Sequence, residues 1–419
     1  MKILLKKATI IDPQSPFHHA QKDLLIDQGS IVSIQDNITD AKAKKISFPN
    51  LHVSRGWLDT SVSFGEPGFE ERETLNNGLR TAGKSGFTNI MLNSVTAPLL
   101  DNASTVGQLV NYSANYATQI HPIACFSQGQ KGEKLNEFFD LKKHGAVAFG
   151  DFQLPIIQPE LLKTALLYSQ GVSGIIMSYP FTAQMGQPTG IHEGLVSTQL
   201  GLRGEPDLFE SLQVQRDLAI LEYTGGKLHL HSLSAEKSIA MVRAAKKKGL
   251  DVSCSVALAN LLFTEDQLMD FDHRFKLTPP LRTSEDREAL KEGVLDGTID
   301  MITSNHLPLN EEIKALDFQI SAPGTTGLEA FFGVLNTLFP TEKTIQLLLK
   351  GYERFGLDNP SIEEGNKAQL SLFNPDGDGV FEEHNILSTS KNSAFVGAAT
   401  RGNVYGVIRG NHHQFNGFE

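Results

Sequence analysis

Imidazoles and carboxylates are the side chains from which hydrolytic chemistry is usually built, as bases or as ligands that acidify a bound water. The sequence offers His229-Leu-His231, Asn305-His306, His121 before Pro122, His412-His413, and Asp151 after Gly150. His229 and His231 are expected on opposite faces of a strand and therefore not on one metal; each reads as a buried, hydrogen-bonded histidine. Asp151 reads as a capping residue near a strand end, His121 as strand-edge structure, and His412 and His413 as exposed tail. No Ser-His-Asp set, nucleophile elbow or paired-carboxylate arrangement stands out.

A second pattern could mislead. Gly78-Leu-Arg-Thr-Ala-Gly83-Lys84-Ser85 fits the phosphate-binding loop, which needs a buried strand before it and a helix after it. Here Glu70–Asn77 is charged, and Leu75, Leu79 and Ala82 recur at helical spacing. Gly83 and Gly86 read as helix C-caps instead.

The whole chain sets bounds on partners. Its 37 basic and 48 acidic residues leave a net charge of −11, which opposes non-specific nucleic-acid binding. The run Lys246-Lys247-Lys248 reads as a solvated last helical turn. Cys125 and Cys254 stand far apart and in no CxxC pair, so neither a disulfide framework nor a thiolate zinc site is expected. The start, Met1-Lys-Ile-Leu-Leu-Lys-Lys, has too short an apolar run for a signal peptide, and no segment reaches the ~18 apolar residues of a membrane helix. A cytoplasmic setting is the expectation.

The elements that must position these residues fall into two classes. Near the ends, Lys2–Ile11, Lys22–Asp27, Ile31–Gln35, Gln369–Phe373, Ala394–Phe395 and Val404–Arg409 read as strands separated by turns. Between them, short apolar strands alternate with helical stretches: Thr88–Leu92, Ile120–Phe126, Ala146–Gly150, Gly174–Met177, Lys227–His231, Asp251–Val256 and Asp300–Thr303. Such alternation predicts a parallel sheet closing as an α/β, TIM-type (β/α)8 barrel. The barrel is expected over 55–359, and a small β-sandwich domain over 1–54 plus 360–419. Chemistry on such a barrel belongs at the carboxyl ends of its strands, where His306 is expected simply to pack.

The segment Gly56-Trp-Leu-Asp59-Thr-Ser61-Val-Ser63-Phe-Gly65-Glu66-Pro67-Gly68 resembles the first-strand signature of the dihydroorotases, a branch of the amidohydrolase superfamily, in which active members carry Asp-x-His-x-His-x-Arg-x-Pro-Gly. The resemblance runs on in order through Met91-Leu-Asn93-Ser, Gly145–Asp151, His229–Ser234, Lys276-Leu-Thr278-Pro-Pro-Leu-Arg282 with Asp286-Arg287, and Asp300–Pro308 followed by Glu311, Glu312 and Lys314. Ala322-Pro-Gly324, Gly327-Leu-Glu329, Ser390-Lys-Asn392 and Phe395-x-Gly397 complete it. It implies a zinc-assisted hydrolase of cyclic amides.

The departures are systematic. Ser61 and Ser63 replace the His-x-His pair, Ser178 stands at a further ligand histidine, and Ser232 at the fifth-strand one. The clamping Arg is Gly65, the Asn of the Pro-Pro element is Thr278, and the general acid/base Asp is Asn305, whose amide does not ionise near neutral pH. Asn93, Asp151, His229 and His306 survive. Asn93 could bind a substrate carboxylate, as the resemblance implies, or be a strand-end residue. The expectation is a pseudoenzyme with no catalytic residue and no metal; Ser61, Ser63, Gly65, Asn93, Asp151, Ser178, Ser232, Thr278, Asn305 and His306 would line a vestigial pocket. Its role would be structural or regulatory in pyrimidine biosynthesis, with aspartate transcarbamoylase as the partner the resemblance suggests and a homodimer as the assembly. The alternative is an active dihydroorotase with an atypical zinc site, and a third reading is a small-molecule sensor using the emptied pocket.

Overall fold

In the computed structural model, which describes residues 2–417, the chain forms two eight-stranded sheets. Met1, Phe418 and Glu419, the outer ends of the expected terminal domain, lie outside the described residues.

The first sheet joins β1 (Lys2–Ile11), β2 (Gln21–Asp27), β3 (Ser30–Gln35), β4 (Lys44–Ile46) and β5 (His52–Arg55) from the N-terminal side. The second, parallel sheet follows in chain order: β6 (Trp57–Val62), β7 (Phe87–Leu92), β8 (Gln119–Ala124), β9 (Ala148–Phe149), β10 (Ile175–Ser178), β11 (Lys227–Leu230), β12 (Val252–Ala257) and β13 (Met301–Thr303). The chain then returns to the first sheet as β14 (Gln369–Val380), β15 (Ala399–Arg409) and β16 (His412–Phe415). The architecture is the expected TIM-type barrel with a β domain built from both termini.

β1 forks the terminal sheet. One edge pairs with β2; the other pairs with β4 at Ile3–Leu5 and with β5 at Thr9–Ile11. Ile3, Leu5, Ile10, Ile26, Val53, Leu370 and Leu372 form its core. The turn-prone run Asn374-Pro-Asp-Gly sits inside β14, where a register shift between Asn374 and Asp378 absorbs it as a bulge. Ala394–Phe395 is a turn rather than a strand, and His412-His413 is half-buried in β16 rather than exposed tail.

The barrel strands are enclosed on both faces: every residue of β6, β7 and β12 is buried, the polar ones included. The phosphate-loop pattern lies in the helix Leu75–Lys84, N-capped by Thr74, which accepts the Asn77 N–H. Gly86 follows at φ 98°, where a Cβ would lie 2.3 Å from the Trp57 ring. The barrel closes from β13 to β6 through a Val62–His306 bridge and the Ser63 N–H donated to the His306 carbonyl at 2.8 Å.

Candidate functional site

Asp59, Ser61 and Ser63 succeed one another at alternate positions along and just past β6, so they face one way. Asp59 fastens the closure. Its carboxyl accepts from the Thr303 hydroxyl at 2.6 Å, the Ser61 N–H at 3.1 Å and the Ser304 N–H at 3.2 Å. Burial pushes this carboxyl up to about 6, against the lowering effect of those donors.

Above it the hydroxyls and amides knit together. Asn93 donates from Nδ2 to Ser61 Oγ at 3.0 Å and Ser63 Oγ at 3.1 Å. Ser61 in turn donates to Asn305 Oδ1 at 3.4 Å, and Asn305 Nδ2 donates to the Thr278 carbonyl at 2.9 Å. His231 stands in the middle: its Nε2 is 3.3 Å from Ser61 Oγ and 3.1 Å from Ser232 Oγ, and its Nδ1 is 3.4 Å from Ser255 Oγ. None of these side chains is more than 8% exposed. Burial lowers His231 to about 4, so the ring is neutral near pH 7.

The expectation that His229 and His231 face opposite ways is wrong. Residues i and i+2 of a strand share a face, and both rings reach the same hydroxyl, His229 Nε2 lying 3.1 Å from Ser255 Oγ. His229 Nδ1 is paired with Ser253 Oγ at 2.9 Å, which makes it the buried, hydrogen-bonded histidine expected.

The structure thus gathers Ser61, Ser63, Asn93, Ser232, Thr278 and Asn305. The side chains of Ser178, Asp151 and His306 bond elsewhere. Ser178 donates to Asp217 Oδ2 at 2.6 Å. Asp151 accepts the N–H groups of Phe126 (2.8 Å) and Ser127 (3.2 Å) and the Ser127 hydroxyl, capping the loop after β8 rather than a helix. His306 accepts from the Gly327 and Leu328 amides on Nδ1, with its ring edge-on to Phe64. Gly65 has no room for any side chain, since a Cβ there would fall 1.8 Å from the Phe69 carbonyl oxygen.

Three non-glycine residues just past barrel strands hold left-handed backbone: Phe152 (φ 54°), Ser232 (φ 54°) and Asn305 (φ 48°). Such strain gathers where a fold aims side chains at a site. Beside them a small cavity of about 10 Å³ is lined by Gln153, Asn260, Thr278, Asn305 and Thr325 among others. The Thr278 hydroxyl, buried, has no protein partner. Asp59, His231, Ser255 and Asp217 were missed as site residues. For Asp59 the signal was available, as an acid inside an apolar strand; for Ser255 and Asp217 only three-dimensional neighbours reveal the role.

Among the described residues, the ligand atoms of three His, Cys, Asp or Glu side chains converge at one place, His18, His19 and Glu342, outside the barrel. There His18 Nδ1 accepts the Asp12 N–H at 3.2 Å, which leaves the proton of the neutral ring on Nε2.

A family profile described as Dihydro-orotase-like matches residues 52–238. A protein named dihydroorotase from Pelotomaculum thermopropionicum is 31% identical over 417 residues, covering 98% of this chain and 97% of its own. The chain belongs to the dihydroorotase-like family. A second dihydroorotase, from Acetivibrio thermocellus, is 32% identical over 418 residues, with 98% of each chain covered. The fold also matches the L-hydantoinase (dihydropyrimidinase) of Arthrobacter aurescens with a TM-score of 0.83 at 17% identity, over 100% of this chain and 96% of that one. The dihydropyrimidinase of Brevibacillus agri gives 0.81 at 17% identity, over 99% and 96%. No helix among the described residues is long and apolar enough to cross a membrane.

Proposed function

We propose that this dihydroorotase-like chain does not hydrolyse cyclic amides and instead acts through its surface, in a structural or regulatory role linked to pyrimidine biosynthesis. One observation carries the reading: Ser61, Ser63 and Ser232, at three positions where the resemblance implies zinc ligands, are neutral hydroxyls, buried with Asn93, Asn305 and His231 in one hydrogen-bonded network. Hydroxyls and carboxamides are poor zinc donors beside imidazole and carboxylate. The fourth replacement, Ser178, is engaged with Asp217, and the surviving Asp151 carboxylate is held by Ser127 and two backbone amides. The residues present do not fit a zinc centre.

Proton transfer fails on the same ground. Asn305 stands where the family's acid/base belongs, and an amide does not ionise near neutral pH. The partner we propose is aspartate transcarbamoylase, with the chain working as a homodimer in a reducing, cytoplasmic compartment. The competing reading, an active dihydroorotase with an unusual zinc site, draws on the name of the full-length relatives.

Zinc content by elemental analysis, with turnover of dihydroorotate in added zinc, separates the two. The expected result is neither metal nor turnover, with co-elution of the chain and aspartate transcarbamoylase on mixing. Stoichiometric zinc with turnover would overturn the proposal; absence of co-elution would remove the named partner.

A further inference from the structure

Three serines stand at positions of the implied ligand set, yet they do not surround a void. The His231 ring fills the space between two of them, 3.3 Å from Ser61 Oγ and 3.1 Å from Ser232 Oγ on the same nitrogen. Its other nitrogen reaches Ser255 Oγ, which also accepts the Ser232 N–H at 3.1 Å and contacts His229. Strands β6, β11 and β12 therefore meet at one imidazole. Phe152, itself in strained backbone, lies 6.1 Å from the ring centroid to centroid.

We infer that His231 takes over the organising role of the metal: the ring stands between Ser61 and Ser232, two of the implied ligand positions, and these with Ser255 form its hydrogen-bonding shell. The inference rests on the proposed metal-free reading and goes beyond it. Loss of ligands alone would leave a hole and orphaned polar groups, which are costly when buried. A planar group with one polar nitrogen on each side answers both needs. A ligand set with four imidazoles has no space for a fifth ring among them, so His231 and a refilled metal site exclude each other.

Two independent measurements test this. The first compares Ser61→His/Ser63→His/Ser178→His/Ser232→His/Asn305→Asp with the same variant carrying His231→Ala as well, reading zinc retained per chain after dialysis. Zinc is expected to be retained stoichiometrically only when His231 is removed. Equal retention by the two variants, or none in either, overturns the inference. Stoichiometric zinc in the unaltered chain would instead overturn the proposed function, so the two failures are distinct.

The second measurement needs no metal and covers the case in which the multiple variants do not fold. His231→Ala alone opens a ring-sized space lined by the Ser61, Ser232 and Ser255 hydroxyls, and tailored cavities bind the fragment they lack. Its Tm should fall, and added free imidazole should raise it in a saturable manner. The unaltered chain and Ser61→Ala/Ser232→Ala/His231→Ala should show no such rise. No rise for His231→Ala, or an equal rise in all three, overturns the inference.

Discussion

The centre of the barrel mouth and the frame around it share one ancestry and have fared differently. At the centre, the positions that the resemblance assigns to ligands, clamp and acid/base hold Ser61, Ser63, Gly65, Ser232 and Asn305, all uncharged. A few ångströms outward the charged residues of the same family pattern remain and are fully engaged. Arg282 donates to Ser234 Oγ at 2.7 Å and His192 Nδ1 at 3.1 Å, and lies 3.6 Å from Glu210. Lys314 donates to the carbonyls of Lys276 and Ala322, and Glu329 accepts from the amides of Leu387 and Ser388. The fold needs the frame whether or not chemistry occurs, whereas only chemistry needs the ligands.

That difference predicts the largest effect at Arg282. Replacing it by Met leaves Glu210 buried without its cation, and breaking a buried pair from one side costs about 3–5 kcal/mol. Urea unfolding, followed by fluorescence of Trp57, the single buried tryptophan, should show this loss. A change below about 1 kcal/mol would erase the contrast between frame and centre.

Asp59 stands two residues from Ser61 yet belongs to the frame. Asp59→Ala would strand the Ser304 and Ser61 amides and leave the Thr303 hydroxyl only the Ser61 carbonyl at 3.2 Å, so a loss of about 3 kcal/mol is expected by the same unfolding assay. If Asp59→Ala proved as mild as substitutions at the serines beside it, the barrel would be closed by backbone bridging alone.

Charge also separates the regions by pH. Glu205, bridged to His192 beside Arg282, has its carboxyl pushed up to about 7, chiefly by burial and partly by Glu210, against the lowering pull of Arg282. A raised acid favours the protonated folded form. Its contribution is complete below about pH 4.5 and is lost as pH rises through about 7. The stability of the unaltered chain relative to Glu205→Gln should therefore fall by about 1–3 kcal/mol between pH 5 and 8. A flat difference across that window would mean that Glu205 is solvated in the folded chain. The centre should be silent over the same range, since burial holds His231 near 4.

Much of this was legible in the chain. Alternating apolar strands and helical stretches gave the barrel, and the ordered motifs marked Ser61, Ser63, Asn93, Ser232, Thr278 and Asn305, which the fold does bring together. What could not be read was side-chain partnership. Ser178 and Asp151 carry family positions, but their bonds run to Asp217 and to the Ser127 loop, set by packing across 39 and 24 residues of separation. His229 and His231 are two residues apart and so share a face along β11 and just past it, against the expectation of opposite faces. The place of His231 among the serines then follows from the two-residue strand period and from β11 pairing with both β10 and β12.

The smallest effect should come from the centre itself. Ser63 Oγ accepts one bond, from Asn93 Nδ2, which also serves Ser61. Ser63→Ala takes the acceptor from one of the two Asn93 Nδ2 protons while the other keeps Ser61, so the loss should be about 1 kcal/mol and should not vary from pH 5 to 8. Ser63→His is the sharper companion, because it restores a ligand type into a buried site where Ser63 is wholly enclosed. Forcing an imidazole into a filled core costs about 1–3 kcal/mol through displaced neighbours. If Ser63→His were instead neutral or stabilising without metal, space for the ligand would still be open, and the centre would be an unfilled metal site rather than a repacked one.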